Sequence, residues 1–311
     1  MASHISCYIK SYRDGTLQAR AEDALEKLSE CTLCPRHCRI DRTRDQHGYC
    51  STGRWAEVAS YDAHFGEESP LVGRHGSGTI FFSHCNLLCN FCQNYDISHR
   101  GFGREMTDEQ LADIMLSLQS SGCHNINFVT PSHVVPQILS ALVLAASQGL
   151  TVPLVYNSSG YDSVETLRLL DGIIDIYMPD FKFWDAKIAD QTCQAPDYPK
   201  VARDAVTEMH HQVGDLVLDP SGLAVRGVLI RHLVLPDGLA GTSEVMDFIA
   251  NRISANTYVN VMAQFRPCGR AAEVKALGRS ISDTEYQDAL KAAADAGIQR
   301  LDRPGRRFVL F

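Results

Sequence analysis

The sequence predicts an α/β protein. Residues 78–311 are expected to form an open, three-quarter (β/α)6 barrel, preceded by an N-terminal helix and cysteine-rich, metal-binding extension over residues 1–77. Three observations carry this expectation. In the later part of the chain, short runs rich in Val, Ile, Phe and Tyr alternate with helical patterns. The runs are nearly continuous in apolarity, as parallel strands covered on both faces must be. They fall at 79–82, 126–130, 152–156, 173–178, 228–235 and 258–264, six units where eight would close a full barrel. Finally, most of the 11 cysteines fall into two tight groups, one before the first run and one directly after it.

In chain order, a helical pattern covers 17–28, a cysteine-rich, loop-like segment follows to about residue 54, and a glycine-rich connector spans 67–78. Thr107 with Gln110 forms a capping box before the apolar positions of 111–118, and Asp162 with Glu165 has the same spacing before 167–170. Ser282 with Glu285 opens a last helix, which Gly297 ends. Pro131, Pro179, Pro236 and Pro267 follow β-type runs and stop them at their C-terminal ends, the rim at which barrels of this kind carry their chemistry.

Composition narrows the function classes. With 45% hydrophobic and 21% charged residues the chain reads as globular. The net charge of −8 argues against a nucleic-acid partner, and the basic clusters at 36–44 and 300–307 read as solvated faces. The most apolar stretch, 138–146, is shorter than the roughly 20 residues a membrane crossing needs. The N-terminus MASHISCYIK lacks the apolar core of a signal peptide. A reducing cytoplasm is the expected location, and close-set cysteines there point to metal or catalysis rather than disulfides.

The first β-type run leads into Cys85, Cys89 and Cys92 with C-x3-C-x2-C spacing. Three thiolates on one short loop can converge on a metal centre, and soft thiolates select iron–sulfur clusters, zinc or Cu(I). Zinc would want a fourth protein ligand. A 4Fe–4S cube held by three cysteines keeps one iron open, and the tight loop, the aromatic Phe91 and the preceding Gly-led strand favour it. Cys31, Cys34, Cys38 and Cys50 form the other group, with a Cys34-Pro35 turn. Four thiolates so close would complete a tetrahedral zinc site or hold an auxiliary 4Fe–4S cluster, and both readings stand.

Cys85, Cys89, Phe91 and Cys92 resemble the C-x3-C-x-aromatic-C signature of the radical S-adenosylmethionine (SAM) superfamily. The resemblance implies a 4Fe–4S cluster whose open iron chelates S-adenosylmethionine, and an electron donor such as flavodoxin or ferredoxin. It implies reductive cleavage of that cofactor to a 5′-deoxyadenosyl radical, which abstracts hydrogen from a substrate. Phe81-Phe82 and Cys92-Gln93-Asn94 resemble the glycyl-radical-enzyme activase branch, in a subgroup similar to pyruvate formate-lyase activating enzyme. Asn157-Ser158-Ser159-Gly160 stands where activases carry D-T-N-G, and Asp180-Phe181-Lys182 resembles their D-x-K. Ile230-Arg231 through Pro236 is similar to their I-R-x-x-x-x-P, and Ala195-Pro196-Asp197-Tyr198 matches the subgroup's A-P-D-Y. By this resemblance Phe91, Thr130, Asn157, Ser158, Asp180, Lys182 and Arg231 bind the cofactor, and the substrate is a protein or peptide.

Two departures are visible. Val129-Thr130-Pro131-Ser132-His133 replaces the superfamily's usual G-G-E, and Asn157 stands where activases often carry Asp. Arg303-Pro304-Gly305-Arg306-Arg307 lacks the R-V-x-G-aromatic pattern of a glycyl-radical loop, so a protein substrate must be another chain. Other readings are radical modification of a different peptide or small molecule, or a metal-binding interaction module without turnover. Among the remaining residues, His99 and His133 are expected near the rim, Cys268 follows the sixth run, and Cys193 is scattered. Tyr161 and Tyr177 read as packing. His210 and His211 are adjacent on a helix, where neighbours point apart.

Overall fold

A computed structural model describes residues 5–44 and 46–302. The segment Arg303-Pro304-Gly305-Arg306-Arg307, and with it most of the second basic cluster, lies outside the described residues. The strands in chain order are β1 (Ala56–His64), β2 (Ser77–Phe82), β3 (Arg104–Met106), β4 (Ile126–Val129), β5 (Leu154–Ser158), β6 (Ile176–Pro179), β7 (Val217–Leu218), β8 (Ala224–Leu233), β9 (Tyr258–Met262) and β10 (Arg300–Leu301). All six β-type runs become strands, and β2, β4, β5, β6, β8 and β9 pair in that order, each parallel to the next. This is a mostly parallel central sheet wound in one direction, and its near-continuous burial explains why apolarity alone revealed it: every residue of β5 and β6 is buried.

The sheet runs further than the sequence pattern. β1 lies antiparallel to β2, with Tyr61 opposite Ile80, and β3 lies antiparallel to β1. At the other edge β10 continues the parallel ladder beside β9. The pairing of β1 with β2 carries the sheet across residue 77, where the extension was expected to end. β1 escapes an apolarity search because its second half is largely exposed and only Ala56 and Val58 are buried. Helices Cys7–Arg13 and Thr16–Glu26 also join the main core: Tyr8, Leu17, Ala21 and Ala24 are buried in the same cluster as Ile80, Phe82 and Phe128. Burying one such leucine or phenylalanine stabilises by about 1.5–3 kcal/mol.

Two capping boxes form as the spacing predicts, Thr107 with Gln110 and Ser282 with Glu285. The third does not. Helix Val164–Leu169 has Ser163 at its N-cap, and Asp162 instead accepts hydrogen bonds from the Tyr156 hydroxyl (2.9 Å) and the Ser158 hydroxyl (2.6 Å). A buried carboxylate must be satisfied, and two strand hydroxyls reach Asp162 before any helix amide does.

Candidate functional site

The chain leaves each parallel strand at the same edge of the sheet and deposits a polar or thiol group there. Cys85, Cys89, Phe91 and Cys92 follow β2, Thr130 follows β4, Asn157 and Ser158 end β5, Asp180 and Lys182 follow β6, and Arg231 lies near the end of β8. These residues line one cavity of about 250 Å³, so the structure gathers the whole set that the sequence singled out for a cluster and its cofactor. Leu88, Val129, Leu233 and Met262 complete apolar parts of the wall.

The loop is bent into shape by backbone that residues with a Cβ resist. His84 (φ 68°) and Leu88 (φ 53°) adopt left-handed conformations beside Cys85 and Cys89, as Thr130 (φ 62°) does on the facing loop. Such residues cluster at functional sites because surrounding contacts must hold them there. Gly160 (φ +75°) has a different reason: a Cβ would stand 2.3 Å from the Asp180 carbonyl oxygen, so only glycine lets the β5 loop lie against the β6 loop. Tyr198 of the A-P-D-Y stretch ties the same loops together. Its hydroxyl accepts from the Lys182 amide (2.8 Å) and lies within reach of the Ser159 and Asp180 carbonyls (2.9 and 3.1 Å).

The charged floor is one network. Arg231 Nε donates to Asp180 Oδ1 (2.8 Å), Arg231 Nη2 donates to Asn157 Oδ1 (2.7 Å), and Lys182 Nζ donates to Asp180 Oδ2. Burial opposes the charge on Asp180, but Arg231 and Lys182 outweigh it and hold the carboxyl below its usual range. Burial pushes Glu67, which faces Arg231 at 3.8 Å, up to about 7 against the pull of that guanidinium. Two cations shared by one firmly ionised carboxylate leave positive charge for a ligand carboxylate.

The three thiols line the same cavity, with Cys89 close enough to feel the charges of Lys182 and Asp180. Cys85 Sγ accepts from the Leu87 amide (3.3 Å) and Cys92 Sγ from the Ser98 hydroxyl (3.2 Å). Burial pushes Cys85 up to about 12. Cys89 is raised first by a side-chain contact with Cys193 and then by burial. Among the described residues no three His, Cys, Asp or Glu side chains close on a single-ion geometry. Thiolates that each bind a different iron of a cube stand farther apart than ligands of one ion, so soft donors on one cavity wall suit a three-cysteine cluster.

Cys31, Cys34, Cys38 and Cys50 also come together, around a void of about 10 Å³ shared with Arg36, Arg42 and His133. Burial, opposed by a backbone hydrogen bond and helped by the nearby thiols, lifts Cys34 to about 12.

Several other expectations find their places. His133 is fully buried, with its Nε2 3.0 Å from the Ser83 carbonyl, and burial depresses it to about 3; it supports the loop from behind instead of facing the cavity. His99 stacks on Tyr95 at 4.1 Å and bonds Ser98 (2.8 Å). Cys268 is not among the cavity-lining residues. His210 pairs with Asp215 at 3.1 Å rather than with His211. Sequence reasoning missed Ser98, Cys193 and Arg36. Ser98 stands only six residues from Cys92, a cue of sorts, but nothing in the sequence ties Cys193 or Arg36 to the cysteine loop.

A strand-end loop of three thiols sharing one cavity with a charged network at the same edge of a parallel sheet defines a cluster-bearing α/β enzyme. The Radical SAM superfamily pattern matches residues 79–215. The chain is also 31% identical over 285 residues to the uncharacterized protein MJ0674 of Methanocaldococcus jannaschii, covering 89% of this chain and 78% of that protein. The chain belongs to the radical SAM superfamily, which implies a 4Fe–4S cluster and S-adenosylmethionine. Among the described residues no helix is long and apolar enough to cross a membrane.

Proposed function

We propose that this chain is a radical SAM enzyme of the glycyl-radical-activase type, acting on a glycine or another position of a separate protein or peptide. The observation that carries the reading is the single cavity that brings Cys85, Cys89 and Cys92 together with Asp180, Lys182 and Arg231. A reduced cluster and S-adenosylmethionine bound together supply one-electron cleavage of a C–S bond, giving methionine and a 5′-deoxyadenosyl radical that takes a hydrogen atom. The protein's part is to hold and orient. Cys85, Cys89 and Cys92 hold three irons. Lys182 and Arg231 attract the cofactor's carboxylate while Asp180 keeps both cations in place. Thr130, Asn157 and Ser158 offer oxygens to its ammonium and ribose, and Phe91, Leu88 and Met262 exclude water. The sheet curls, in this reading, into a three-quarter barrel around that cavity. The likeness of Phe81-Phe82, Cys92-Gln93-Asn94 and the strand-end motifs to activases supports the protein or peptide substrate.

In the same reading flavodoxin or ferredoxin donates the electron in a reducing cytoplasm. The N-terminal cysteines hold a second metal centre, a zinc ion or an auxiliary 4Fe–4S cluster. Anaerobic reconstitution, reduction and an assay for 5′-deoxyadenosine test the proposal. Product from the wild type and none from Cys85→Ala, Cys89→Ala or Cys92→Ala is expected, whereas full turnover in a triple variant would sink the reading. Adding a glycyl-radical enzyme and looking for its radical signal tests the substrate class.

A further inference from the structure

Arg36 stands between Cys34 and Cys38, yet its side chain serves another loop. Its Nε donates to the Asn86 carbonyl (3.0 Å) and its Nη2 to the Leu87 carbonyl (3.4 Å), the two residues after Cys85. Nη2 also donates to the Cys193 carbonyl (2.8 Å) and Nη1 to the Gln194 carbonyl (2.5 Å), where helix Ala186–Cys193 ends. The guanidinium lies 3.7 Å from the centre of the Tyr49 ring and 5.2 Å from that of Tyr161. Tyr49 belongs to the same module: it precedes Cys50, and its amide donates to Cys38 Sγ (3.4 Å). Asn86 donates in turn to the Tyr161 carbonyl (2.7 Å).

We infer that the N-terminal cysteine module positions the three-thiol loop through Arg36, an inference that rests on reading Cys85, Cys89 and Cys92 as the cluster ligands. The loop needs such a hold. Leu88 sits in a left-handed conformation between the anchored Leu87 and Cys89, and that conformation persists only when neighbours over-determine it. Arg36 fixes the loop at Asn86 and Leu87, and the Thr192 carbonyl fixes it at the Asn90 amide (2.8 Å). Only a planar fork with several donors reaches four carbonyls on two segments while stacked on an aromatic ring; an ammonium group has three donors at one compact centre and no plane to stack. Cys34 and Cys38 flank Arg36 and are drawn together with Cys31 and Cys50, so closure of the module on a metal sets where the fork stands. The extension is therefore a clamp on the catalytic loop, and Arg36 is its positioning residue.

The test compares full-length wild type, Arg36→Ala, Arg36→Lys and Tyr49→Leu after anaerobic reconstitution. Iron loss to a chelator and the electron paramagnetic resonance signal that responds to added S-adenosylmethionine are read alongside thermal unfolding and metal content. Arg36→Ala is expected to fold, to keep its N-terminal metal, to lose iron from the responsive cluster about tenfold faster or more, and to show an altered signal. Arg36→Lys is expected to behave like Arg36→Ala, and Tyr49→Leu to fall between them and wild type. Wild-type iron loss and signal in a folded Arg36→Ala or Arg36→Lys overturn the inference. Failure of both Arg36 variants to fold also overturns it, since Arg36 would then be a residue of general stability. A wild type that takes up no cofactor-responsive cluster refutes the underlying reading instead, before any variant is compared.

Discussion

The Ser98 hydroxyl donates to Cys92 Sγ at 3.2 Å, and His99 Nδ1 lies 2.8 Å from the same hydroxyl oxygen. A hydroxyl has one proton, so donation to the sulfur requires His99 to be the donor on the other side. Hydrogen bonds to cluster sulfurs favour the more negative, reduced state and raise the reduction potential. Ser98→Ala should therefore lower the midpoint potential, by roughly 20–60 mV if the bond is worth about 0.5–1.5 kcal/mol more to the reduced cluster. Redox titration followed by electron paramagnetic resonance reads this directly. An unchanged midpoint would mean that the hydroxyl turns away once Cys92 is ligated.

The floor of the cavity predicts a split between stability and binding. Asp180 is the carboxylate shared by Arg231 and Lys182. Asp180→Ala leaves two buried cations without it, which typically costs about 3–5 kcal/mol. Lys182→Met removes one cation and leaves the Asp180–Arg231 pair whole, so the fold should suffer much less. Its S-adenosylmethionine affinity should fall roughly ten- to a hundredfold, the loss expected for one charge-assisted contact. Denaturant unfolding and equilibrium binding to the reconstituted chain separate the two. Equal losses of stability in both variants would show that the network is held together by something other than Asp180.

Much of this site was legible because parallel strands reveal themselves twice. Their burial on both faces makes 126–130 or 152–156 stand out, and the polar groups at their ends then fall on one rim. Cys85 is read on that rim from its strand and spacing, whereas Asp180 and Arg231 join it through their likeness to the activases' strand-end motifs. What stayed hidden depends on contacts that sequence spacing does not encode. β1 alternates too weakly to announce itself, and it is fixed by its register against β2. Asp162 has the right spacing for a cap, but burial beside Tyr156 and Ser158 decides its partners. Arg36 reads as one charge in a basic run, and only the approach of Asn86 and Cys193 gives it a task.

Folding stability should depend on pH through His232. This fully buried imidazole donates from Nδ1 to the Phe181 carbonyl (2.7 Å) and accepts at Nε2 from the Thr242 hydroxyl (2.9 Å). Burial, the largest influence, depresses it from 6.5 to about 4. Above about pH 6.5 the ring is neutral in both folded and unfolded chains and contributes no slope. Below that the unfolded chain takes up the proton first, so stability falls as pH drops towards 4, by on the order of 3 kcal/mol across the window. His232→Asn should be less stable than wild type at neutral pH, and the gap between them should narrow on acidification. Denaturant midpoints of both chains between pH 4.5 and 7.5 check this; a gap that stays constant would show that His232 does not titrate as its burial requires.

The N-terminal cysteines give the prediction with the most distinct outcomes. Cys31, Cys34, Cys38 and Cys50 surround a small void, and Cys31 joins only a small separate hydrophobic cluster with Leu28 and Leu33. So little apolar surface cannot order the segment by itself, and a structural metal contributes its binding free energy to folding. If the metal there is a structural zinc, replacing Cys34 and Cys38 with Ser should remove one zinc per chain and leave iron at one cluster. Stability should fall, while S-adenosylmethionine cleavage persists in part wherever the chain stays folded, because the three-thiol loop keeps its own ligands. The residual activity should come with faster iron loss, since Arg36 loses the frame that holds it against Asn86 and Leu87. Elemental analysis decides between metals. If the variant loses about half its iron and no zinc, the group holds an auxiliary 4Fe–4S cluster, and the module's part shifts from a clamp alone towards electron relay or substrate anchoring.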